Sequence, residues 1–268
     1  MENISNSKLI DLSGKTAIVT GGALGIGFGI ANRFVAAGAS VCIADLNEEE
    51  AQKAAADLNS KGWQAKAFKV DVSNEDDVKK MVEETVSVFG SINILVNNAG
   101  IYPSIPVTKM SLADFEKVIA INLKGVFLCT KYASGQMIKQ GRGGKIINIT
   151  SVDALHPSSI GLAHYDASKH GVWGFTKNTA LELSQHKIWI NAIAPGGIAT
   201  PGLKNSQKGV DNKHIDMAKM TEAFLAKIPM HRMGEPDDIG KVALFLASEM
   251  SSYMTGSQVV VDGGFLLS

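Results

Sequence analysis

A tyrosine and a lysine, Tyr165 and Lys169, stand four residues apart in the segment YDASK (165–169). Side chains at positions i and i+4 share one face of a helix. A free phenol has a pKa near 10, but one nearby cation lowers the pKa of an acid by roughly 1–3 units. The spacing therefore indicates a general acid/base that works near neutral pH. An exposed pair without a function is the alternative.

A hydroxyl and an amide stand out in neighbouring segments. Ser151 follows the apolar run KIINIT (145–150), so its side chain can reach over the edge of a sheet. Asn122 lies in the middle of a predicted helix that contains FEKVIAINLKG. An amide is mildly unfavourable in a helix interior, so we expect either a functional role or a packed structural amide.

A glycine-rich turn, TGGALGIG (20–27), follows the first predicted strand. Gly21, Gly25 and Gly27 allow a tight turn, and the next helix would point its N-terminal amides at a ligand such as a pyrophosphate. Asp45 ends the second strand, where a carboxylate can accept hydrogen bonds from both hydroxyls of an adenosine ribose. It would repel a 2′-phosphate, so NAD is favoured over NADP. Capping of the next helix is the alternative role for Asp45.

Short β-branched runs alternate with longer helical patterns, which is typical of a parallel sheet with crossover helices. The predicted strands are 16–20, 40–44, 64–69, 92–97, 145–150, 188–194 and 258–262. The predicted helices are 25–38, 47–61, 74–90, 111–140, 163–186 and 236–248. We therefore predict a single α/β domain over 1–268, with a doubly wound parallel sheet of about seven strands and helices on both faces.

Two segments break this alternation. Residues 1–13 are predicted to form an N-terminal extension. Segment 201–225 is polar at first and then has a weak apolar stripe of Met217, Met220 and Phe224. Long insertions of this kind form lids or substrate-binding loops, and a surface excursion is the alternative.

Composition narrows the possible functions. The 268 residues have a formal net charge of zero, which argues against nucleic-acid or anionic-membrane partners recognised through bulk charge. No apolar run approaches the roughly 20 residues of a membrane span, and no secretory signal is recognised. Cys42 and Cys129 lie in apolar runs, so we expect reduced core residues in a cytoplasmic protein. The histidines have no paired ligand spacing, and no metal site is predicted.

The chain resembles the short-chain dehydrogenase/reductase family over essentially its whole length. The matching motifs occur in the family's order: TGGALGIG (20–27), DV (71–72), NNAG (97–100), IN (121–122), NITS (148–151), YDASK (165–169), PGGIAT (195–200) and VDGG (261–264). A Tyr-x-x-x-Lys pair alone is weak evidence, but the ordered set has no plausible accidental origin. The resemblance implies a Rossmann fold, a nicotinamide dinucleotide cofactor, and hydride exchange with a secondary alcohol or its ketone.

The resemblance also implies roles for single residues. Tyr165 is the general acid/base, and Lys169 additionally holds the nicotinamide ribose. Ser151 hydrogen-bonds the substrate oxygen, and Asn122 positions a water in a proton relay. Ser151 is one residue farther from Tyr165 than is usual in the family, which we attribute to the loop 153–164. The implied cofactor contacts are Gly21, Gly25, Ile26, Gly27, Asp45, Leu46, Asp71, Val72, Asn98, Ala99, Gly100, Tyr165, Lys169, Pro195, Gly196, Ile198 and Thr200.

The expected substrate is a small-molecule alcohol or ketone. The predicted substrate contacts are Ser151, Asp153, His156, Tyr165 and Gly197, with Tyr102 and Leu155 in the pocket wall. Asp153 and His156 offer hydrogen bonds that suit a polyol, a sugar or another small hydroxy compound. The apolar residues of 201–225 would instead suit a bulkier ketone or sterol.

Several functions stay open beside an NAD(H)-dependent alcohol dehydrogenase. A 3-oxoacyl-(acyl-carrier-protein) reductase shares most of the motifs, but those enzymes usually carry an arginine at the position of Leu181 and prefer NADPH. A hydroxysteroid-type dehydrogenase is a further alternative. A non-catalytic dinucleotide-binding regulator typically loses the serine, tyrosine or lysine, and this chain keeps all three. Kinship and apolar stripes on 111–140 and 163–186 predict a homotetramer.

Overall fold

Parallel strands form one sheet in the computed structural model, which describes residues 5–201 and 217–268, the side chains of 217–221 excepted. The strands are β1 (Thr16–Thr20), β2 (Ser40–Asp45), β3 (Gln64–Lys69), β4 (Ile94–Asn97), β5 (Gly144–Ile149), β6 (Ile188–Pro195) and β7 (Gln258–Val261). Their order is β3-β2-β1-β4-β5-β6-β7, and every neighbouring pair is parallel. The order reverses between β1 and β4, so ligands are expected at the carboxyl ends of these two strands.

Helices cover both faces of the sheet. They are α1 (Asn6–Leu9), α2 (Gly25–Ala36), α3 (Glu48–Ser60), α4 (Glu75–Phe89), α5 (Leu112–Ile119), α6 (Gly125–Gln140), α7 (Ala163–Leu183), α8 (Met217–Ala226) and α9 (Pro236–Ala247). Strand alternation divides the core: Val19 of β1 packs with α2, α3 and α9, whereas Ile18 packs with α4, α6 and α7. The predicted doubly wound Rossmann fold is confirmed.

Several predicted bounds differ from the observed ones by a few residues. The helix predicted over 111–140 contains a wider π turn, Ala120–Lys124, between α5 and α6. The strand predicted to begin at 92 begins at Ile94. The side chain of Gln140 explains the second difference, because its amide donates to Ile92 O at 2.8 Å and its oxygen accepts Ile92 N at 2.9 Å. A side chain therefore takes the place of a neighbouring strand.

The two unusual segments have different outcomes. Within the predicted extension 1–13, Leu12 is buried and donates its backbone N–H to Ala37 O at 2.8 Å, so the core includes part of this segment. Most of the predicted insertion 201–225 lies outside the described residues, and its last part contributes α8. Among the described residues, none of the helices is both long enough and apolar enough to cross a membrane.

Both cysteines are free and buried, as predicted. Burial raises the pKa of the Cys42 and Cys129 thiols to about 12. Both therefore stay protonated at neutral pH, and a protonated thiol reacts far more slowly than a thiolate. We expect neither to react with Ellman's reagent in the native protein at pH 8, and both to react after denaturation in guanidinium. Reaction of a thiol within minutes under native conditions would contradict this burial.

Candidate active site

Helix α7 carries Tyr165 in its first turn and Lys169 one turn later. Lys169 is only 4% exposed, and its ammonium donates to Ile149 O at the end of β5 at 2.8 Å. The same nitrogen lies 5.6 Å from the centre of the Tyr165 ring. The pair therefore lies between the helix and the sheet edge rather than in solvent.

Ser151 completes this group from the loop that follows β5. Its side chain is buried, and its hydroxyl is close enough to Tyr165 to lower the pKa of the phenol. A short 3-10 turn, Val152–Ala154, begins directly after it. The extra residue between Ser151 and Tyr165 is thus accommodated in the loop. Tyr102 packs edge-on against Tyr165, with ring centres 6.0 Å apart.

The pKa of Tyr165 differs in direction from the sequence-based expectation. Burial is the largest influence and raises this pKa well above its ordinary value; the nearby Ser151 hydroxyl lowers it, and the charge of Asp153 raises it further. The expected lowering by Lys169 is not among the main influences. The hydrogen bond of the ammonium goes to Ile149 O and not to the phenol.

Lys169 is itself affected by its surroundings. Burial lowers its pKa to about 8, and the nearby charge of Asp153 acts in the opposite direction. The ammonium is therefore a poorly solvated cation, held by one carbonyl hydrogen bond, next to the phenol. Such a cation interacts more strongly with developing negative charge than an exposed lysine does.

Asn122 occupies the π turn between α5 and α6 and is fully buried. Its oxygen accepts Ile101 N at 2.9 Å, and its amide donates to Ile101 O at 2.9 Å and to Ser168 Oγ at 3.1 Å. Asn122 thereby joins the segment after β4 to helix α7. Both interpretations of Asn122 from the sequence stay predictions, because the side chain is a packed amide that also contacts Ser168, the residue before Lys169.

The glycine turn fits a dinucleotide pyrophosphate. Gly21 and Gly25 have positive φ values of 60° and 54°. A Cβ on Gly27 would lie 2.1 Å from Gly21 O, and one on Gly21 would lie 2.9 Å from Ala99 Cα, so side chains are excluded. Helix α2 begins here without a side-chain cap or an acidic residue in its first turn, which leaves its amides suited to an anion. Ile26 lies in this first turn and packs partly into the core.

A threonine that sequence reasoning missed, Thr20, ties this turn to the NNAG segment. Thr20 Oγ1 accepts the backbone amides of Asn98 at 3.0 Å and Ala99 at 3.1 Å, and donates to Val96 O. The Asn98 side chain donates to Thr20 O and Gly21 O, both at 2.9 Å. The sequence signal for this role was a hydroxyl side chain at the end of β1, directly before the glycines.

The next motif residues lie on either side of the active centre. Asn97 connects β4 to β5, because its side-chain amide donates to Asn148 Oδ1 at 2.8 Å. Gly100 lies close to Asn122 and Lys169: a Cβ there would lie 3.3 Å from Asn122 Oδ1 and 3.7 Å from Lys169 Nζ. A larger residue at this position would enter the space between the NNAG segment and α7.

Asp45 lies beside the glycine turn at the end of β2. Its two carboxylate oxygens accept the backbone amides of Ala23 at 3.2 Å and Asn47 at 3.0 Å. Helix α3 is capped by Asn47, which accepts from Glu50 N, so the capping role considered for Asp45 belongs to a neighbour. Leu46 is largely exposed next to this carboxylate.

Asp71 and Val72 follow β3 on the same edge of the sheet. Asp71 Oδ1 accepts from the backbone and hydroxyl of Ser73 at 2.8 and 2.7 Å, which fixes the turn before α4. Val72 is buried against Gly125, where a Cβ would lie 2.8 Å from the valine Cγ2. Both residues are thus held at the carboxyl end of the sheet.

The segment 195–200 follows β6 and returns toward the glycine turn. Pro195 ends the strand, and Gly196 donates to Val261 O at 3.0 Å. Gly197 O and Ala199 N both bond with Gly234, so the amide and carbonyl of Ile198 point away from that residue. The Thr200 side chain packs closely against Gly25: a Cβ added to Gly25 would lie 3.2 Å from Thr200 Cγ2.

The predicted substrate contacts divide into buried and exposed groups. Asp153 is buried beside Ser151, whereas His156 and Leu155 are exposed. Gly197 lies against Phe224 of α8, where an added Cβ would be 2.8 Å from the phenyl ring. Met217 and Met220 have no described side chains.

Among residues 5–201 and 217–268, no group of three or more His, Cys, Asp or Glu side chains could hold a metal ion.

Comparison with known proteins gives consistent results. A family model described as enoyl-(acyl carrier protein) reductase matches residues 21–266. The chain is 37% identical over 256 residues to a 3-oxoacyl-(acyl-carrier-protein) reductase of Thermotoga maritima, covering 96% of this chain and 99% of that protein. It is 38% identical over 260 residues to a 2,5-dichloro-2,5-cyclohexadiene-1,4-diol dehydrogenase of Sphingobium indicum, covering 95% and 98%.

A solved structure extends the comparison. A 7α-hydroxysteroid dehydrogenase complexed with NADH and 7-oxo glycochenodeoxycholic acid matches with a TM-score of 0.89 at 33% identity, over 97% of this chain and 98% of that one. The fold and the site define an oxidoreductase of the class that uses a nicotinamide dinucleotide. The chain belongs to the short-chain dehydrogenase/reductase family.

Proposed function

We propose that this protein is an NAD(H)-dependent oxidoreductase that transfers a hydride between the nicotinamide ring and a secondary alcohol or its ketone. The observation that carries the proposal is the buried Lys169 ammonium 5.6 Å from the centre of the Tyr165 ring, with the buried Ser151 hydroxyl close enough to lower the pKa of that phenol. Tyr165 acts as the general acid/base, assisted by Lys169, Ser151 and Asn122. The bound dinucleotide supplies the hydride acceptor or donor and, when oxidised, a positive ring charge.

The chain's own residues handle the proton. In alcohol oxidation, Tyr165 takes the hydroxyl proton as the C–H hydride leaves, and in reduction it returns that proton to the developing alkoxide. Burial raises the pKa of Tyr165, so the cationic surroundings must offset this effect for the phenolate to form. Lys169 supplies one such charge and Ser151 one hydrogen bond. Asn122 fixes the helix on which both the tyrosine and the lysine lie.

The remaining contacts assigned from the family pattern surround a cofactor placed at the switch point. The pyrophosphate would lie on the glycine turn and the N-terminus of α2, with the adenosine ribose at Asp45 and the adenine near Asp71 and Val72. The nicotinamide carboxamide would meet the backbone of Ile198 and the hydroxyl of Thr200. The outward direction of the Ile198 amide and carbonyl supports this last assignment.

NAD is preferred over NADP in this proposal because of Asp45. Two charges about 5 Å apart at an effective dielectric constant of about 20 repel by about 3 kcal/mol, which is on the order of 10²-fold in affinity. We expect kcat/KM for NAD⁺ to exceed that for NADP⁺ by about this factor, and Asp45→Ser to reduce the ratio at least tenfold. The absorbance of NADH and NADPH at fixed alcohol concentration measures both ratios.

The matched control is Asp57→Ser, which removes an exposed carboxylate of α3 that pairs with Lys61. This variant should leave the NAD⁺/NADP⁺ ratio unchanged. A wild-type preference for NADP⁺ would contradict the cofactor assignment and would favour the 3-oxoacyl reductase reading.

The substrate proposed is a small polyol, sugar or hydroxy compound. The buried Asp153 carboxylate supports a substrate with hydroxyl groups, and one similar protein is named as a diol dehydrogenase. A 3-oxoacyl-(acyl-carrier-protein) reductase is the second candidate, favoured by the name of another similar protein. Leu181, which is 77% exposed, stands where those reductases usually carry an arginine, and this counts against carrier docking.

We also propose assembly as a homotetramer. Phe115, Phe127 and Leu181 are apolar side chains on α5, α6 and α7 that are each more than one-third exposed. We expect sedimentation velocity to give a species of four times the 28.4 kDa chain mass at micromolar concentration. A single species of 28.4 kDa under those conditions would contradict this assembly.

A further inference from the structure

A buried carboxylate, Asp153, lies directly beside the catalytic serine. The residue is only 6% exposed. Asp153 Oδ2 accepts the Ser151 hydroxyl at 2.7 Å, and Oδ1 accepts the backbone amide of Ser158 at 2.9 Å. Both oxygens are therefore fixed by the loop that follows β5, and the carboxylate faces the group that contacts the substrate.

The charge of Asp153 is not neutralised by an ion pair with any residue in 5–201 or 217–268. The buried cation in this region, Lys169, donates to Ile149 O instead. A buried carboxylate without a cation is costly unless hydrogen-bond donors surround it. Two donors are present, and each carboxylate oxygen can accept more than one.

The hydroxyl of Ser151 has one proton, and Asp153 accepts it. The serine oxygen also accepts the Asp153 backbone amide at 3.1 Å. In this arrangement Ser151 has no proton to donate to a reacting substrate oxygen. A second donor that reached Asp153 would release the serine proton for that oxygen, where it would stabilise the charge that develops.

A hydroxyl on the carbon next to the reacting carbon can be that donor. The Ser151 Oγ and Asp153 Oδ2 atoms are 2.7 Å apart, a separation similar to that between the two oxygens of a gauche vicinal diol. One diol oxygen can then meet Tyr165 and Ser151 while the other donates to Asp153. A carboxylate in the second position would face Asp153 as a like charge and would have no proton to donate.

We propose that Asp153 makes this a site for neutral vicinal diols and the corresponding α-hydroxyketones, an inference that rests on the proposed function. Asp153 also excludes substrates that carry a carboxylate on the carbon adjacent to the reacting carbon. Asp153 is then the residue that determines substrate class. The substituent next to the reacting carbon, rather than the size of the substrate, decides which compounds turn over fastest.

Three matched compounds test this: cis-cyclohexane-1,2-diol, cyclohexanol and cis-2-hydroxycyclohexane-1-carboxylate. We expect wild-type kcat/KM for the diol to exceed that for cyclohexanol by at least about tenfold, and that for the carboxylate to be lower than that for cyclohexanol by a similar factor. Asp153→Ala should bring the diol/cyclohexanol ratio close to unity. Asp153→Asn, which removes only the charge, should raise the carboxylate/cyclohexanol ratio about tenfold.

The ratio of kcat/KM between two compounds measured on the same protein does not depend on the fraction of that protein that is folded. If a variant does not fold, the wild-type ratios alone test the inference. Asp166→Asn is the matched control, because it removes a nearby carboxylate on α7 that has no hydrogen bond with Ser151; both ratios should stay at wild-type values. Equal wild-type rates for diol and cyclohexanol, or fastest turnover of the carboxylate, overturn the inference and leave the proposed function standing. Absence of turnover of all three with either dinucleotide overturns both.

Discussion

Replacement of Tyr165 by phenylalanine is expected to lower kcat by about 10²–10⁴-fold, the usual contribution of a positioned general acid/base. The substitution removes one oxygen and keeps the ring that packs edge-on against Tyr102. The dinucleotide should still bind, because its proposed contacts lie mainly on the glycine turn and the segment 195–200. Steady-state rates with NAD⁺ and an alcohol substrate, together with quenching of NADH fluorescence on binding, measure the two effects separately.

The matched control is Tyr102→Phe. It removes the hydroxyl of the neighbouring ring, which has no described hydrogen bond with Ser151, so the rate should fall by less than about tenfold. Unchanged turnover in Tyr165→Phe would remove the basis of the proposed mechanism. An equal loss in both variants would show that the Tyr165 hydroxyl has no larger role in the rate than the Tyr102 hydroxyl.

The local sequence was sufficient to predict the elements of the fold. Strand β1 has the predicted bounds because it is buried on both faces, which produces a continuous apolar run, and β3, at the sheet edge, has the predicted bounds with only part of its residues buried. The π turn at Asn122 has no such local pattern. It depends on contacts of the Asn122 side chain with Ile101 and Ser168, which are distant in sequence.

The candidate site shows the same limit. The spacing of Tyr165 and Lys169 placed both residues on one helix face, but spacing carries no information about desolvation. Burial between α7 and β5 decides the direction of both pKa shifts, and it depends on strands and loops far along the chain. The Ser151–Asp153 hydrogen bond was equally hidden, because the turn Val152–Ala154 forms only where the chain leaves the sheet.

Substitution of Lys169 by methionine is expected to reduce kcat by on the order of 10²–10³-fold while changing stability in a pH-dependent way. The apolar side chain has a similar length but removes the buried cation next to Tyr165. The loss of the ribose contact proposed for Lys169 should also raise KM for the dinucleotide. Initial rates at saturating and limiting NAD⁺ distinguish the two effects.

The stability effect follows from the lowered pKa of Lys169, about 8 against the ordinary 10.5. The folded protein binds fewer protons than the unfolded chain between these values, so this lysine reduces the free energy of unfolding most at pH 8 and below. The penalty diminishes as the pH rises from about 8 toward 10.5. Relative to Lys169→Met, wild type should therefore gain about 2 kcal/mol between pH 7 and pH 9.5.

Urea denaturation of both proteins at the two pH values measures this difference. The comparison between pH values cancels the fixed cost of leaving Ile149 O without its donor, about 1–3 kcal/mol at either pH. Lys177→Met is the matched control, because Lys177 is an exposed lysine two turns farther along α7, over the ring of Trp173. Its stability difference from wild type should be the same at both pH values. A pH-independent difference for Lys169→Met would mean that the ammonium is solvated, and a solvated ammonium could not provide the strong local field that the proposed proton transfer requires.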